Sequence, residues 1–353
     1  MKPKIIISAG GTGGHIFPAL AIAKQLSNDY QIIWVGAKVG LENKLVPEHG
    51  YKLETVTVSG VRNKGLLRKL SLPFSMVRSA IECLFICIKH RPKIIIGFGG
   101  YATFPICVMG KLLAKPVVIH EQNSIAGLTN KVVAKFANVV LTAFPNVLKS
   151  KKTFLVGNPV RDEVISSYDW RISQPNISSK LRVLIVGGSL GAKVLNDTVP
   201  QALSLIQDQI AQVTHQVGRS SPDEVITSYQ NAGINANVVT FIDNMGQAYA
   251  NADLIICRAG ASTVAEVASA GIAAIFVPYP YAVDDHQTTN AKYLVESDAA
   301  LLIPQTKLDA DYLANEIKKL TVEKCQQMGQ FAHNLAINNS SELICTQVKQ
   351  LVK

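Results

Sequence analysis

Short apolar runs alternate along the chain with segments whose apolar residues recur every three to four positions. The runs are typical of strands buried on both faces, and the longer periodicity is typical of amphipathic helices. Strands that alternate with helices predict parallel sheets with right-handed crossovers. Strands are predicted over residues 4–8, 31–35, 53–57, 93–97, 116–120, 138–142, 153–156, 181–186, 212–217, 237–241, 253–257, 273–277 and 299–303. Helices are predicted over 17–28, 104–113, 192–207, 222–231, 245–250, 261–270, 286–296, 308–319 and 323–352.

The two halves of the chain repeat one arrangement. In each half an apolar strand leads into a glycine-rich loop, at residues 10–14 and again at residues 187–191. A second strand and loop follow in each half, ending at residues 97–100 and 258–260. The repetition predicts an α/β protein of two Rossmann-like domains whose parallel sheets face each other across a cleft. Ligands of such sheets bind at the carboxyl ends of the strands.

The length of 353 residues also fits two domains of ordinary size. Pro159 follows the last predicted strand of the first half and interrupts regular structure there. We therefore expect a first domain over residues 1–160 and a second over residues 161–322. No strand follows the helix predicted at about 323–353, which is expected to pack back on the first domain.

Composition narrows the class of protein. Hydrophobic residues make up 48% of the chain and charged residues 17%, which supports two cores and leaves apolar surface for a partner. The six cysteines form no CxxC pair and lie mostly in apolar runs, as expected of buried, reduced thiols in a cytosolic protein. No run reaches the roughly 18 apolar residues of a membrane-spanning helix, which predicts a soluble or peripheral protein.

The net charge of +10 is concentrated in one segment. Residues 61–93 carry eight Lys and Arg against one acid, a net charge of +7, together with many leucines and isoleucines. Basic and apolar residues together are typical of contact with an anionic membrane surface, which we assign to residues 61–76. Nucleic acid is not favoured, because no aromatic interleaving or fold signature is present. Five apolar residues at helical spacing are predicted to be core, namely Val77, Ile81, Leu84, Phe85 and Ile88.

The glycine loops favour a phosphate or sugar-pyrophosphate ligand. Glycines let the backbone approach a ligand, and the helix that follows presents a partly positive N-terminus. A dinucleotide oxidoreductase is the rival interpretation, but its GxGxxG fingerprint fails, since the pattern from Gly11 reaches Ile16 and the second loop has Ser189 instead of glycine. Neither loop is a P-loop, because Lys193 follows an alanine and precedes no Ser or Thr.

Residues 258–266 form a sharper motif, in which a strand ends and a helix begins after Gly260. Backbone amides at residues 261–263 could hold a diphosphate. Glu266, one turn further along, could accept two hydrogen bonds from a ribose diol. The competing interpretation makes Glu266 the acid of a capping box at the start of the helix.

Polar residues also cluster at predicted carboxyl ends of strands. His15 on the first glycine loop could act as a general base near neutral pH, or could donate a hydrogen bond that shapes the loop. His120 and Glu121 follow a buried strand, where polar side chains are costly unless they bind something. Residues 284–286, two aspartates and a histidine, could suggest a metal site, but they also fit a helix start.

These motifs, in this order, resemble the MurG family of bacterial glycosyltransferases, within glycosyltransferase family 28. The resemblance runs through nearly the whole chain and is carried by residues 10–15, 99–101, 120–130, 156–161, 187–192, 260–266 and 285–291. It implies a GT-B architecture and an inverting transfer of N-acetylglucosamine (GlcNAc) from UDP-GlcNAc to the C4 hydroxyl of the muramoyl sugar of lipid I. The products would be lipid II and UDP, in the last intracellular step of peptidoglycan precursor synthesis.

The resemblance also implies individual roles. Ile242 would lie by the uracil, Glu266 on the ribose, and Ser189 and Arg161 by the diphosphate, with no metal and no cofactor. The implied UDP-GlcNAc-binding residues are Thr12, Gly13, Gly14, Asn123, Arg161, Ser189, Ile242, Ala261, Ser262, Thr263, Val264, Ala265, Glu266 and Gln287. The candidate base is His15, with Glu121 or His120 as alternatives. Leu190 departs from the glutamine expected in many relatives.

Partners and location follow from the same resemblance. UDP-GlcNAc, lipid I and an anionic membrane surface are implied, with cell-wall or division proteins as candidates, at the cytoplasmic face of the bacterial inner membrane. One alternative is a related glycosyltransferase that makes a diacylglycerol glycolipid, against which the block at residues 120–130 argues. A non-catalytic nucleotide-sugar or dinucleotide-binding protein is another.

Overall fold

The computed structural model describes residues 2–58, 72–174, 177–188 and 191–352. The chain divides into two compact units, Met1–Pro159 with Asn339–Lys353, and Val160–Asn338. Two predictions fall outside the described residues. These are residues 61–71, most of the predicted membrane-contact segment 61–76, and the diphosphate contact Ser189.

The first unit is built on a seven-stranded parallel sheet of order β3-β2-β1-β4-β5-β6-β7. The strands are β1 (Lys4–Ala9), β2 (Gln31–Ala37), β3 (Lys52–Val56), β4 (Ile95–Gly99), β5 (Val117–Glu121), β6 (Val139–Thr142) and β7 (Thr153–Leu155). Among the described residues, the helices before the unit boundary are α1 (Gly13–Leu26), α2 (Glu42–Glu48), α3 (Leu72–His90), α4 (Thr103–Leu112) and α5 (Leu128–Val133). The strand order reverses between β1 and β4, the point at which open parallel sheets bind ligands.

Both faces of this sheet carry a hydrophobic core. Three consecutive isoleucines in β1 are fully buried, and successive ones point to opposite faces of the sheet. Ile5 and Ile7 belong to a core with α1, and Ile6 belongs to a core with α3 and α4. Coverage on both faces explains why the strands are apolar runs that do not alternate with polar residues.

The second unit has a six-stranded parallel sheet of order β10-β9-β8-β11-β12-β13, with its reversal between β8 and β11. Its strands are β8 (Leu181–Val186), β9 (Ile210–Gln216), β10 (Ala236–Val239), β11 (Leu254–Cys257), β12 (Ala273–Phe276) and β13 (Ala300–Leu302). Its helices are α6 (Asp162–Ser173), α7 (Lys193–Ser204), α8 (Asp223–Asn231), α9 (Met245–Ala250), α10 (Ala261–Ala270), α11 (His286–Val295), α12 (Ala310–Lys318) and α13 (Val322–Asn334). The prediction of two parallel α/β sheets is confirmed.

The single helix predicted over 323–352 is wrong. The chain forms two helices there, α13 and α14 (Ser340–Leu351). Helix α13 packs in the second unit against α10 and β12, and only α14 packs against α1 in the first unit. Asn338 and Asn339 lie between the two helices, and asparagine favours caps and turns over helix interiors.

The core assignment on α3 is also wrong for most of the residues named. Val77, Ile81, Phe85 and Ile88 are exposed, and Leu84 is partly buried. Helix α3 is apolar around much of its circumference and buries a different side. The buried residues of that side are Ser79, Cys83, Ile86, Cys87 and His90. The exposed residues Phe74, Val77, Ile81 and Phe85 are called the α3 face below.

The cysteine prediction holds, since all six thiols are free and buried. Burial raises the pKa of Cys87 and of Cys345 to about 11, which keeps both protonated near neutral pH. Within the described ranges, no helix combines the length and the apolar character needed to cross a bilayer.

Candidate functional site

The first glycine loop lies where the carboxyl ends of β1 and β4 meet. Gly11 has φ of +88°, a conformation that favours glycine. Gly100 also has positive φ, and a Cβ there would lie 2.6 Å from the carbonyl oxygen of Gly10. The loops after the two strands therefore touch through backbone atoms. The N-cap and first turn of α1 are formed by Thr12, Gly13 and Gly14.

A buried carboxylate accepts a hydrogen bond from the backbone of this loop. Glu42 is fully buried, and its side chain accepts hydrogen bonds from the Ala37 N–H at 3.0 Å and the Gly11 N–H at 3.2 Å. A Cβ on Gly10 or Gly40 would lie 2.5 or 2.3 Å from its oxygens. Glycines thus leave room for an acid that fixes the backbone just before the predicted UDP-GlcNAc-binding residues 12–14.

His15 belongs to a row of hydrogen bonds that runs into the interior. Its Nδ1 lies 2.8 Å from Oε1 of Gln122, and Nε2 of Gln122 lies 2.9 Å from Nδ1 of His120. The Nε2 of His120 lies 2.9 Å from the carbonyl oxygen of Gly157. His15 is partly buried, whereas His120 and Gln122 are almost completely buried. Burial lowers the pKa of His120 to about 4, which keeps its ring neutral.

Glu121, the other alternative base, is also buried and bonded to protein. Its carboxylate accepts from the N–H groups of Asn123 and Gly127, both at 3.0 Å, and from Nδ2 of Asn130 at 2.9 Å. It therefore shapes the loop that carries Asn123. Protein groups satisfy the polar residues at the end of β5, so their burial did not by itself require a ligand.

The second unit supports its glycine loop in a similar way. Gly188 has φ of +83°, and its N–H donates to Oε1 of Gln216 at 3.1 Å. The side-chain amide of Gln216 donates to the carbonyls of Gly188 at 3.1 Å and Thr240 at 3.0 Å. In both units, therefore, a buried side-chain oxygen accepts the N–H of a glycine with positive φ.

Helix α10 starts directly after β11, at the switch point of the second sheet. Gly260 is its N-cap, and the Val264 N–H makes the first helical hydrogen bond to the Gly260 carbonyl at 2.9 Å. The buried Asn290 steadies the turn by donating to the Ala259 carbonyl at 3.2 Å. The first turn points the positive end of the helix dipole at this edge of the sheet. The predicted ligand-binding residues at the start of α10 are Ala261, Ser262, Thr263, Val264 and Ala265.

Glu266 receives two hydrogen bonds in the second unit. Arg161 donates to its Oε1 and Tyr249 to its Oε2, each at 3.2 Å. Burial raises the pKa of Glu266, and the two donors oppose that rise. The capping-box interpretation is wrong, because the N-cap is Gly260 and Glu266 is the sixth residue of the helix.

The remaining predicted residues lie near the N-termini of α9 and α11. Ile242 is partly buried in the loop that leads into α9, the helix that carries Tyr249. Gln287 lies in the first turn of α11, and its Oε1 accepts from the Tyr279 N–H at 2.9 Å. Asp285 is the N-cap of α11, which confirms the helix-start interpretation. Over the described residues, no group of three or more His, Cys, Asp or Glu is placed to hold a metal ion.

Sequence reasoning gave no role to four residues that organise these sites. They are Glu42, Gln122, Gln216 and Tyr249. Gln122 lay inside a motif already singled out, and Glu42 stands between glycines at a helix start. Neither pattern shows which atoms these side chains reach, because one partner of each, Gly11 for Glu42 and His15 for Gln122, lies far away in sequence.

Family models match both parts of the chain. The glycosyltransferase family 28 N-terminal domain matches residues 5–142, and the glycosyltransferase family 28 C-terminal domain matches residues 182–345. The two matches include the glycine loops of both units.

Individual proteins match over nearly their whole length. A Neisseria gonorrhoeae protein is 46% identical over 339 residues, which covers 96% of this chain and 95% of that protein. A Cupriavidus pinatubonensis protein is 44% identical over 351 residues, which covers 99% and 98%. Both are named UDP-N-acetylglucosamine–N-acetylmuramyl-(pentapeptide) pyrophosphoryl-undecaprenol N-acetylglucosamine transferase. The crystal structure of Acinetobacter baumannii MurG superposes with a TM-score of 0.89 at 37% identity and covers 99% of both chains.

Proposed function

The chain belongs to glycosyltransferase family 28, and from that premise we infer that it transfers GlcNAc from UDP-GlcNAc to lipid I, giving lipid II and UDP. Lipid I is the N-acetylmuramyl-(pentapeptide) pyrophosphoryl-undecaprenol of the relatives' names. The observation that carries this conclusion is the match to those transferases over nearly the whole chain at 44–46% identity.

We propose that the second unit binds the donor nucleotide. Ionised Glu266 has two oxygens that can accept from the two ribose hydroxyls, and the first-turn amides of α10 suit a diphosphate. Ile242 is assigned to the uracil, and Ser189 to the diphosphate. The GlcNAc moiety is assigned to Gln287 and to first-unit residues, namely Thr12, Gly13, Gly14 and Asn123.

Arg161 changes partner in this proposal. Its guanidinium pairs with Glu266 and with Glu163, each at 3.2 Å. A bound diphosphate offers Arg161 a doubly charged acceptor, and the ribose hydroxyls then take its place on Glu266. Binding of UDP-GlcNAc thus replaces the Arg161–Glu266 ion pair by two contacts with the ligand, one from Arg161 to the diphosphate and one from Glu266 to the ribose.

We propose His15 as the general base of an inverting displacement. Its Nε2 takes the proton of the C4 hydroxyl of the muramoyl sugar while that oxygen attacks the anomeric carbon of GlcNAc. The new bond forms as the bond to the β-phosphate breaks, and UDP leaves with the electron pair. The α10 dipole and Arg161 stabilise the charge that develops on the diphosphate. His120 and Glu121 act by shaping the site.

Replacement of His15 tests the mechanism. A positioned base contributes about 10²- to 10⁴-fold, so His15→Ala should lower kcat by that order on a soluble lipid I analogue. His49→Ala is the matched control, because His49 is an exposed histidine of the same unit. Near-normal kcat in His15→Ala would remove His15 from the chemical step.

Ligand binding tests the proposed function more broadly. Calorimetry should detect UDP and UDP-GlcNAc binding to the purified chain and no NADH binding. NADH binding without UDP binding would instead favour the dinucleotide-binding class.

The lipid-linked acceptor requires access to a membrane, and we propose that the α3 face provides it. Phe74 is 82% exposed and Phe85 is 65% exposed, and Arg78, which pairs with Glu82 at 3.2 Å, lies among the apolar residues. Aromatic side chains beside a basic side chain are suited to an anionic bilayer surface. The proposed contact therefore extends beyond residues 61–76 along α3, at the cytoplasmic face of the inner membrane.

Vesicle sedimentation tests this contact. Burying a large apolar side chain is worth about 1.5–3 kcal/mol, so Phe74→Ser with Phe85→Ser should weaken binding to anionic vesicles by roughly 10²- to 10⁴-fold. Ile177→Ser is the control, because Ile177 is exposed on the second unit. Equal binding by the double variant and the wild type would place the contact elsewhere.

A further inference from the structure

We propose that Gln122 is a positioning residue that fixes the tautomer of His15 and leaves the Nε2 lone pair to accept the proton. This inference rests on the proposed role of His15 as the base. Its evidence is the row of hydrogen bonds from the Gly157 carbonyl through His120 and Gln122 to His15.

The inner end of the row sets its direction. A backbone carbonyl only accepts, so the Nε2 of His120, 2.9 Å from the Gly157 oxygen, must carry a hydrogen. Because the pKa of His120 is lowered by burial, its ring is neutral near pH 7 and its Nδ1 carries a lone pair.

The orientation of the Gln122 amide follows from this tautomer. Its Nε2 lies 2.9 Å from Nδ1 of His120 and 3.1 Å from the His120 carbonyl oxygen. Both partners are acceptors, so the NH₂ group must face them, since the reversed amide would oppose an oxygen to two acceptors. The carbonyl end of the amide is thereby directed at His15.

The hydrogen bond at the outer end of the row, between Gln122 and His15, then has only one possible direction. An amide oxygen only accepts, so Nδ1 of His15, 2.8 Å from Oε1 of Gln122, must donate. The lone pair of neutral His15 is therefore on Nε2. The ring is held in place, because a Cβ on Gly99 would lie 2.9 Å from its Cε1. The Gln122 backbone is held by Asn158, which donates to its carbonyl at 3.0 Å.

An amide at this position has a different effect from a carboxylate. A carboxylate would also orient His15, but its charge would favour the imidazolium form and raise the pKa of the ring. The neutral amide fixes the tautomer without that added charge.

Nitrogen NMR of histidine-labelled protein reads the tautomers directly, with the His15 signal assigned by its loss in His15→Ala. We expect the Nδ1–H form at His15 and the Nε2–H form at His120 in the wild type. Gln122→Met should give mixed tautomers at His15. An Nε2–H form at His15 in the wild type, or an unchanged spectrum in Gln122→Met, would overturn the proposal.

Kinetics supply a second readout. Gln122→Met should lower kcat about 10- to 100-fold, part of what a positioned base contributes, with KM for UDP-GlcNAc within about twofold of the wild type. Gln122→Glu should move the acidic limb of kcat/KM to higher pH, because the new carboxylate raises the pKa of His15. A merely structural role for Gln122 would not move that limb, so an unmoved limb also counts against the proposal.

The readouts separate this inference from the proposed base. If His15→Ala retained kcat while Gln122→Met still changed the tautomer, the base would be wrong and the positioning correct. If His15→Ala were inactive and Gln122→Met had no effect on tautomer or rate, only the positioning would be wrong. Gln216→Met is the matched control, because Gln216 is a buried glutamine of the second unit and its loss should leave the His15 tautomer unchanged. If Gln122→Met failed to fold, the wild-type spectrum and Gln122→Glu would still decide.

Discussion

Replacing Glu42 with glutamine should destabilise the first unit and slow turnover. Glutamine keeps the size of the side chain but places an NH₂ group against one of the two donors, the N–H of Gly11 or of Ala37. Rotating the amide would not restore both hydrogen bonds, because each oxygen of Glu42 has its own donor, the Ala37 N–H at Oε1 and the Gly11 N–H at Oε2. One hydrogen bond must therefore be lost.

The size of the effect follows from the burial of the carboxylate. Losing a hydrogen bond to a charged group and leaving a buried N–H unpaired should lower the free energy of unfolding by about 2–4 kcal/mol. For a unit of this size that is a fall of roughly 4–16 °C in Tm. The Gly11 backbone leads directly to His15, and because small misplacements of a catalytic group are costly, kcat should fall by about tenfold.

Calorimetry, turnover and amide hydrogen exchange measure the three consequences. Exchange should speed up in peptides that contain Gly11 or Ala37. Glu48→Gln is the control, because Glu48 is an exposed acid on the same helix, and its unfolding free energy should change by less than about 0.5 kcal/mol. A Tm of Glu42→Gln within about 1 °C of the wild type, with unchanged exchange, would refute the reasoning.

Three further predictions concern the second unit. Tyr249→Phe removes a hydrogen-bond donor that lowers the pKa of Glu266, and UDP-GlcNAc binding needs the ionised acid. As the pH falls, the affinity of the variant should therefore decline at a higher pH than that of the wild type. Titration calorimetry across pH checks this, with Arg161 and Glu163 as the other charged neighbours of Glu266. Arg161→Ala should weaken UDP binding about 10- to 100-fold, with uridine binding equal or tighter, in the same instrument. Arg171 donates to the carbonyls of Ala270 and Gly271 at the end of α10, so Arg171→Met should lower the urea-unfolding free energy by about 2–4 kcal/mol.

The sheets could be predicted because their signals are local. Apolar runs that lead into glycine-containing loops, such as Ile5–Ile7 and Leu254–Ile256, mark buried parallel strands, and each predicted strand has a counterpart in the two sheets. The failures on α3 and at the C-terminal helix have one cause. A helix with apolar residues on most sides does not show which side is covered, and an apolar periodicity does not reveal the break at Asn338 and Asn339.

The candidate sites divide in the same way. His15 and Glu266 could be singled out because histidine and glutamate near glycine turns have recognisable chemistry. The neighbours that orient them could not, since Gln122 lies 107 residues from His15, and Tyr249 approaches Glu266 from another helix. Such pairs depend on the packing of separate elements, which local sequence patterns do not show.

Transfer of labelled GlcNAc to a lipid I analogue tests the central claim most directly, with UDP-GalNAc and UDP-glucose as competing donors. The purified chain should form a β-linked disaccharide at the C4 hydroxyl and one UDP per transfer, and neither competing donor should replace UDP-GlcNAc. The account would be contradicted by an α-linked product, by preference for another donor, or by release of UDP without transfer to the acceptor.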